Sequence, residues 1–140
     1  MTYALDTNTI SYILRGEGNA NSCFQKEIIE SDNQYVIPHI VNYEIKRWLL
    51  YTPTKMLHEL ANQYDVMFRN VIDKADMSCD IWEKAADIYI KLKKAGKIIG
   101  DADILISAYC LVNNYTLVTS NTRDFSRIND LKHVDWNVVG

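Results

Sequence analysis

Apolar residues recur in two rhythms along the chain, short runs of strand-forming residues and longer stretches with an apolar position at every third or fourth residue. Residues 2–5 read as a strand, and Asp6-Thr7-Asn8-Thr9 then offers polar side chains suited to capping a helix that runs through Ile10, Ile13 and Leu14. The glycines and asparagine of Arg15-Gly16-Glu17-Gly18-Asn19 end that helix. Residues 23–30 are expected to form a second, short helix, Tyr35-Val36-Ile37 a second strand, and Pro38 its stop. Over 40–50 the spacing of Val41, Ile45, Trp48 and Leu49 predicts an apolar helical face. Ile40, Glu44 and Arg47 share a neighbouring stripe, which puts Glu44 beside the core rather than opposite it.

A helix from Pro53 to about residue 69 is marked by Met56, Leu60, Tyr64 and Met67, and another over 79–95 by Ile81, Ala85, Ile88 and Leu92. After a break at 96–100, Asp101-Ala102-Asp103 opens the segment 104–111, apolar on most sides, as a helix buried in the centre of a domain would be. Residues 116–119 read as a strand, 120–125 as the loop after it, and Val134-Asp135-Trp136 as a final strand. Strands separated by helices favour a parallel sheet covered on both faces. No repeat or linker divides the chain, so a single domain over 1–140 is expected.

Composition narrows the class. Apolar residues make up 48% of the 140, against five glycines and two prolines, which argues for an ordered globular chain. The longest apolar run, 104–112, contains Ser107, and MTYALDTNTI has no basic segment ahead of an apolar one. Neither a membrane span nor a secretory signal is expected, and the cytoplasm is the expected location. Cys23, Cys79 and Cys110 form no CxxC pair and His39, His58 and His133 no HExxH, which argues against a zinc site or a disulfide framework. A net charge of -3 argues against wrapping nucleic acid through bulk positive charge, but leaves room for an acidic centre rimmed by cations.

The candidate chemistry lies in acids at the ends of elements. Beyond the C-termini of parallel strands, loops and helix starts converge on one crevice. Asp6 follows the first strand, Asn121 and Asp124 follow the 116–119 strand, Asp103 sits in the first turn of the apolar helix, and Glu44 can reach in from its own helix. A first-turn acid is also favoured by the helix dipole, which accounts equally for Asp101. Unit negative charges about 5 Å apart repel by roughly 3 kcal/mol at an effective dielectric of 20, so such a cluster takes up either protons or a cation. All-oxygen donors suit Mg²⁺ or Mn²⁺ better than zinc, and a hard ion there would promote phosphodiester hydrolysis. Asn8 can orient Asp6 or a water, or cap the first helix. Lys91, Lys93, Lys94 and Lys97 form the densest basic run, and Arg15, Lys46, Arg47, Arg123 and Arg127 lie in or near the acidic segments, where cations position phosphates without reading bases.

Taken together, Leu5-Asp6-Thr7-Asn8-Thr9-Ile10-Ser11, Tyr43-Glu44, the segment Ile99-Gly100-Asp101-Ala102-Asp103-Ile104-Leu105-Ile106-Ser107-Ala108, and Leu117-Val118-Thr119-Ser120-Asn121-Thr122-Arg123-Asp124-Phe125 resemble the acidic blocks of VapC-type PIN-domain ribonuclease toxins, in order and over nearly the whole chain. The resemblance implies a PIN-like three-layer α/β/α domain with a central, mainly parallel sheet. It implies a Mg²⁺- or Mn²⁺-dependent endoribonuclease, usually homodimeric, cutting an RNA such as transfer RNA and held in check by a cognate antitoxin protein. Asp6, Glu44 and Asp103 match the family's metal-holding acids, Thr119 a frequent site threonine, and Asn121 and Asp124 the region of a fourth acid. Asn121 departs from relatives that place an acid there, which leaves the second metal position open. A non-cleaving metal- or RNA-binding regulator, or a phosphatase or DNA nuclease using the same acids, is the competing reading.

Overall fold

The structure is a computed structural model that describes residues 1–51, 54–71 and 77–138. Its elements run β1 (Thr2–Leu5), α1 (Thr7–Arg15), α2 (Ala20–Glu30), β2 (Gln34–Val36), α3 (His39–Tyr51), α4 (Lys55–Phe68), α5 (Cys79–Lys94), α6 (Asp101–Asn113), β3 (Thr116–Val118), α7 (Thr122–Phe125) and β4 (His133–Val134). The strands form one sheet in the order β2-β1-β3-β4, every pairing parallel, within a three-layer α/β/α arrangement. Parallel neighbours need crossovers, and the helices between the strands supply them. From β1 the chain crosses first to β2 on one side and later to β3 on the other. The junction of β1 and β3 is therefore the switch point of the sheet, where a crevice opens beyond the strand ends.

Sheet and helices enclose a continuous apolar core. Ala4 and Leu5 of β1 and Leu117 and Val118 of β3 are wholly buried, as strands covered on both faces require. Helix α6 lies against them with Ile104, Ile106, Ala108, Tyr109 and Cys110 buried, which explains an apolar sequence with little face-to-face contrast. Ile81, Ala85, Ile88 and Leu92 of α5 are buried as their spacing predicts. In α4, Leu60, Tyr64 and Phe68 close the core while Met56 stays exposed. The expected start of that helix at Pro53 lies outside the described residues.

Several boundaries differ from expectation for tertiary reasons. Helix α2 begins at Ala20 rather than Cys23, because the Asn137 side chain accepts hydrogen bonds from the Asn19 N–H at 3.0 Å and the Ala20 N–H at 3.3 Å. A cap supplied from the far end of the chain leaves no local signal. Gly18, at φ +64°, lies against that amide: a Cβ there would meet Asn137 Oδ1 at 2.0 Å. The expected loop at 120–125 contains the short helix α7. The final strand is His133–Val134, and Trp136 instead turns into an aromatic cluster with Tyr3, Phe24 and Tyr35 at centroid separations of 5.6–6.1 Å. Among the described residues no helix is long and apolar enough to cross a membrane.

Candidate active site

Register brings the first two groups together. Leu5 of β1 pairs with Val118 of β3, and the Asp6 N–H extends the ladder by donating to the Val118 carbonyl at 3.2 Å, so Asp6 and Thr119 emerge side by side. Asp6 is itself the N-cap of α1: its Oδ1 accepts from the Thr9 N–H at 2.8 Å. The Thr9 hydroxyl donates to the Val118 carbonyl at 3.1 Å, tying the first turn of α1 to the end of β3. Asn8 is exposed, and the orienting task that it was expected to share belongs to Thr9.

Thr119 is fully buried; its hydroxyl donates to the Asp6 carboxylate and accepts from the Asn121 N–H at 3.0 Å. Burial raises the Asp6 carboxyl above the usual range, and the charge of Glu44 adds to the rise. The hydrogen bonds from Thr119 and Thr9 oppose it. Glu44 reaches the crevice from α3, where its Oε1 accepts from the Thr7 hydroxyl at 2.7 Å. Thr7 is a contributor that sequence reasoning passed over, since a hydroxyl in a helix's first turn looks like ordinary capping.

Asp103 completes the group from the first turn of α6, and the Ser107 hydroxyl donates to its backbone carbonyl at 2.8 Å. Its carboxyl is pushed up to about 6 by burial, then by the charges of Glu44, Asp6 and Asp124. Their charges bear on Asp103 together, as expected of acids gathered beyond β1 and β3 and at the start of α6. Asp124 stands at the rim, its Oδ2 accepting from Asn121 Nδ2 at 3.1 Å and its Oδ1 lying 3.6 Å from Arg127 Nη1. Asn121 thus supports Asp124 rather than replacing it. Asp101 turns elsewhere, lining a shallow apolar groove with Trp82, Tyr89 and Leu105.

The donor set fits a hard divalent cation in kind: all oxygen, strongly acidic, with no ion pair to Asp6, Glu44 or Asp103 among the described residues. Among the same residues, no group of three or more His, Cys, Asp or Glu stands in an arrangement that could hold a metal ion as it is. The Asp6 carboxylate is held by Thr119 and Thr9 and that of Glu44 by the Thr7 hydroxyl, while Ser107 meets the backbone carbonyl of Asp103.

The cations near these segments divide. Lys46 is paired with Asp65 and Lys91 with Asp87, while Lys93 and Lys94 sit exposed in the last turn of α5, where the helix dipole favours them. Arg15 pairs with Glu17 at 3.3 Å and lies over the rings of Tyr12 and Trp48. Arg47 makes no ion pair among the described residues and lies over Tyr43 at 5.2 Å.

The PIN-domain family model matches residues 3–131. The chain belongs to the PIN-domain family. Proteins named as VapC ribonucleases are similar to this PIN domain over nearly the whole chain. It is 29% identical to the ribonuclease VapC2 of Rickettsia felis, with 98% of this chain and 99% of that protein aligned. It is 27% identical to a ribonuclease VapC1 of Haemophilus influenzae, covering 97% and 98% respectively. Among solved structures, VapBC2 from Rickettsia felis bound to a promoter DNA fragment matches with a TM-score of 0.82 at 25% identity, over 97% of this chain and 99% of that one. The fold also matches VapBC-1 from nontypeable Haemophilus influenzae, with a TM-score of 0.81 at 24% identity over 97% and 98% of the two chains.

Proposed function

We propose that this PIN domain is a Mg²⁺- or Mn²⁺-dependent endoribonuclease, the toxin of a toxin–antitoxin pair, hydrolysing RNA phosphodiester bonds in the crevice of Asp6, Glu44 and Asp103. The observation that carries the reading is the meeting of Asp6, Glu44 and Asp103 beyond the strand ends, where burial first and then the charges of Glu44, Asp6 and Asp124 push the Asp103 carboxyl up to about 6. Its relatives' names as ribonucleases support the substrate class.

Asp6, Glu44 and Asp103 are the residues assigned to hold the metal. When bound, a hard divalent ion supplies a more acidic water and stabilises charge developing on the phosphate and leaving oxygens. Thr119 and Thr9 fix the Asp6 carboxylate, and Thr7 fixes that of Glu44, so the acids are presented in set orientations. Asn121 and Asp124 hold the rim of the crevice, where Asp124 adds negative field that Arg127, 3.6 Å away, partly offsets.

Incubating the partner-free protein and Mg²⁺ with RNA, DNA and a small phosphate ester in parallel separates the readings. Shortening of RNA alone supports the proposal. Comparable turnover of DNA or the ester reassigns the reaction to a DNA nuclease or phosphatase, and RNA retained without shortening makes the chain a binding regulator.

A cognate antitoxin is proposed as partner, a reading supported by the structural relatives named VapBC, and the cytoplasm is the proposed location. An Arg or Lys of that partner placed among the acids would offset their repulsion and exclude metal. Cleavage is then expected to fall at least about tenfold at saturating partner, and unchanged cleavage would contradict this mode of control. A homodimer is proposed as well. Light scattering on partner-free protein at micromolar concentration is expected to give twice the chain mass, and a monomer mass would reject it.

A further inference from the structure

An open groove of about 500 Å³ adjoins the acidic crevice, lined by Thr7, Glu44, Arg47, Trp48 and Tyr51. Its size is within the range of clefts that take small organic groups. The last four of these residues stand at helical spacing on one face of α3, so a single rigid element carries a site acid at one end of the groove and aromatic rings toward the other. Tyr51 is 85% exposed and Leu50 71%, a costly display of apolar surface on two consecutive residues unless something covers it. The Trp48 ring is half-buried with the Arg15 guanidinium 5.9 Å from its centroid, and Arg47, stacked on Tyr43, carries a charge that no described carboxylate pairs.

Exposed aromatic faces interleaved with guanidinium groups match the two parts of a single-stranded nucleic acid, flat bases and anionic phosphates. A duplex offers no free base face to such a surface. Thr7 and Glu44 line both the groove and the crevice, so a strand whose phosphate lies at the acids has this groove as its continuation. We propose that the α3 face bearing Arg47, Trp48 and Tyr51 is a subsite for an unpaired nucleotide next to the cleaved bond, the rings stacking on its base and Arg47 meeting a flanking phosphate. The subsite rests on the ribonuclease reading and deepens it, since it selects single-stranded or looped segments over helices.

The test is fluorescence anisotropy with a labelled single-stranded oligoribonucleotide and a matching strand carrying abasic positions, in EDTA so that nothing is cut. Tyr51→Ala is expected to weaken binding of the intact strand on the order of tenfold, toward the low end of what one base–aromatic stack contributes. Binding of the abasic strand should change by less than about twofold, and Tyr51→Phe, which keeps the ring, should behave as the wild type. Arg47→Gln should weaken both strands and lower the slope of log affinity against log salt by about 0.7. The proposal is overturned if Tyr51→Ala binds the intact strand like the wild type, or loses affinity for both strands equally. Wild-type protein that cleaves RNA while Tyr51→Ala binds normally removes the subsite alone; wild-type protein that neither binds the strand nor cuts RNA with Mg²⁺ removes the ribonuclease reading with it.

Discussion

Asp103→Asn is expected to reduce RNA cleavage at least about tenfold at subsaturating Mg²⁺, a loss of roughly 1.4 kcal/mol in transition-state stabilisation, while Asp101→Asn has the smaller effect. Asp103 feels the charges of Glu44, Asp6 and Asp124, whereas Asp101 lies in the groove against α5 with Trp82 and Tyr89. The substitution keeps size and hydrogen bonding but removes the charge assigned to the metal. Both variants must first melt as folded proteins by circular dichroism. Near-wild-type cleavage by folded Asp103→Asn would withdraw its role, and a larger loss in Asp101→Asn would transfer that role to its neighbour.

The second large effect concerns stability and its pH dependence. With its folded carboxyl at about 6 against an ordinary 3.8, Asp103 binds a proton in the folded state that the unfolded chain has already released across that window. Its contribution to stability is therefore full below about pH 4 and is lost as pH rises through 6. By linkage the loss amounts to about 1–2 kcal/mol, allowing for solvent screening of a partly exposed group. Asp6, whose carboxyl is also raised, works in the same sense and Glu27, whose carboxyl is lowered, in the opposite sense at more acid pH, so the difference between wild type and Asp103→Asn is what reports on Asp103. In EDTA above pH 6, Asp103→Asn should unfold at higher urea than the wild type. Saturating Mg²⁺ should reverse the order, because only the wild type keeps the full set of acids. Wild type and variant with parallel profiles from pH 4 to 7 would contradict the placement of Asp103 among facing acids.

The physical reasons why some of this was legible in sequence and some was not are local against distant. Strand β1, the apolar faces of α5 and the buried α6 follow from patterns within one element, and the structure keeps them at residues 2–5, 79–94 and 101–113. Asp6, Glu44, Asp103 and Asp124 were readable because strand ends and helix starts of a parallel sheet converge whatever the loops between them do. The bonds that hold them were not. Thr7 meets Glu44 across 37 positions, Thr9 meets the Val118 carbonyl across 109, and Asn137 caps α2 across 117 or 118; none leaves a trace in spacing. Tyr51 and Trp48 were equally silent, since periodicity makes Trp48 a core residue and cannot say that Tyr51 borders an acidic crevice.

The most direct test of the central claim is exposure of purified, partner-free protein to total cellular RNA, with Mg²⁺ in one sample and EDTA in the other, followed by mapping of new RNA ends. The account predicts discrete new ends with Mg²⁺, none with EDTA, and their loss in a preparation of folded Asp103→Asn. RNA left intact with Mg²⁺, or cut equally in EDTA and by the Asn variant, would contradict metal-dependent cleavage at Asp6, Glu44 and Asp103.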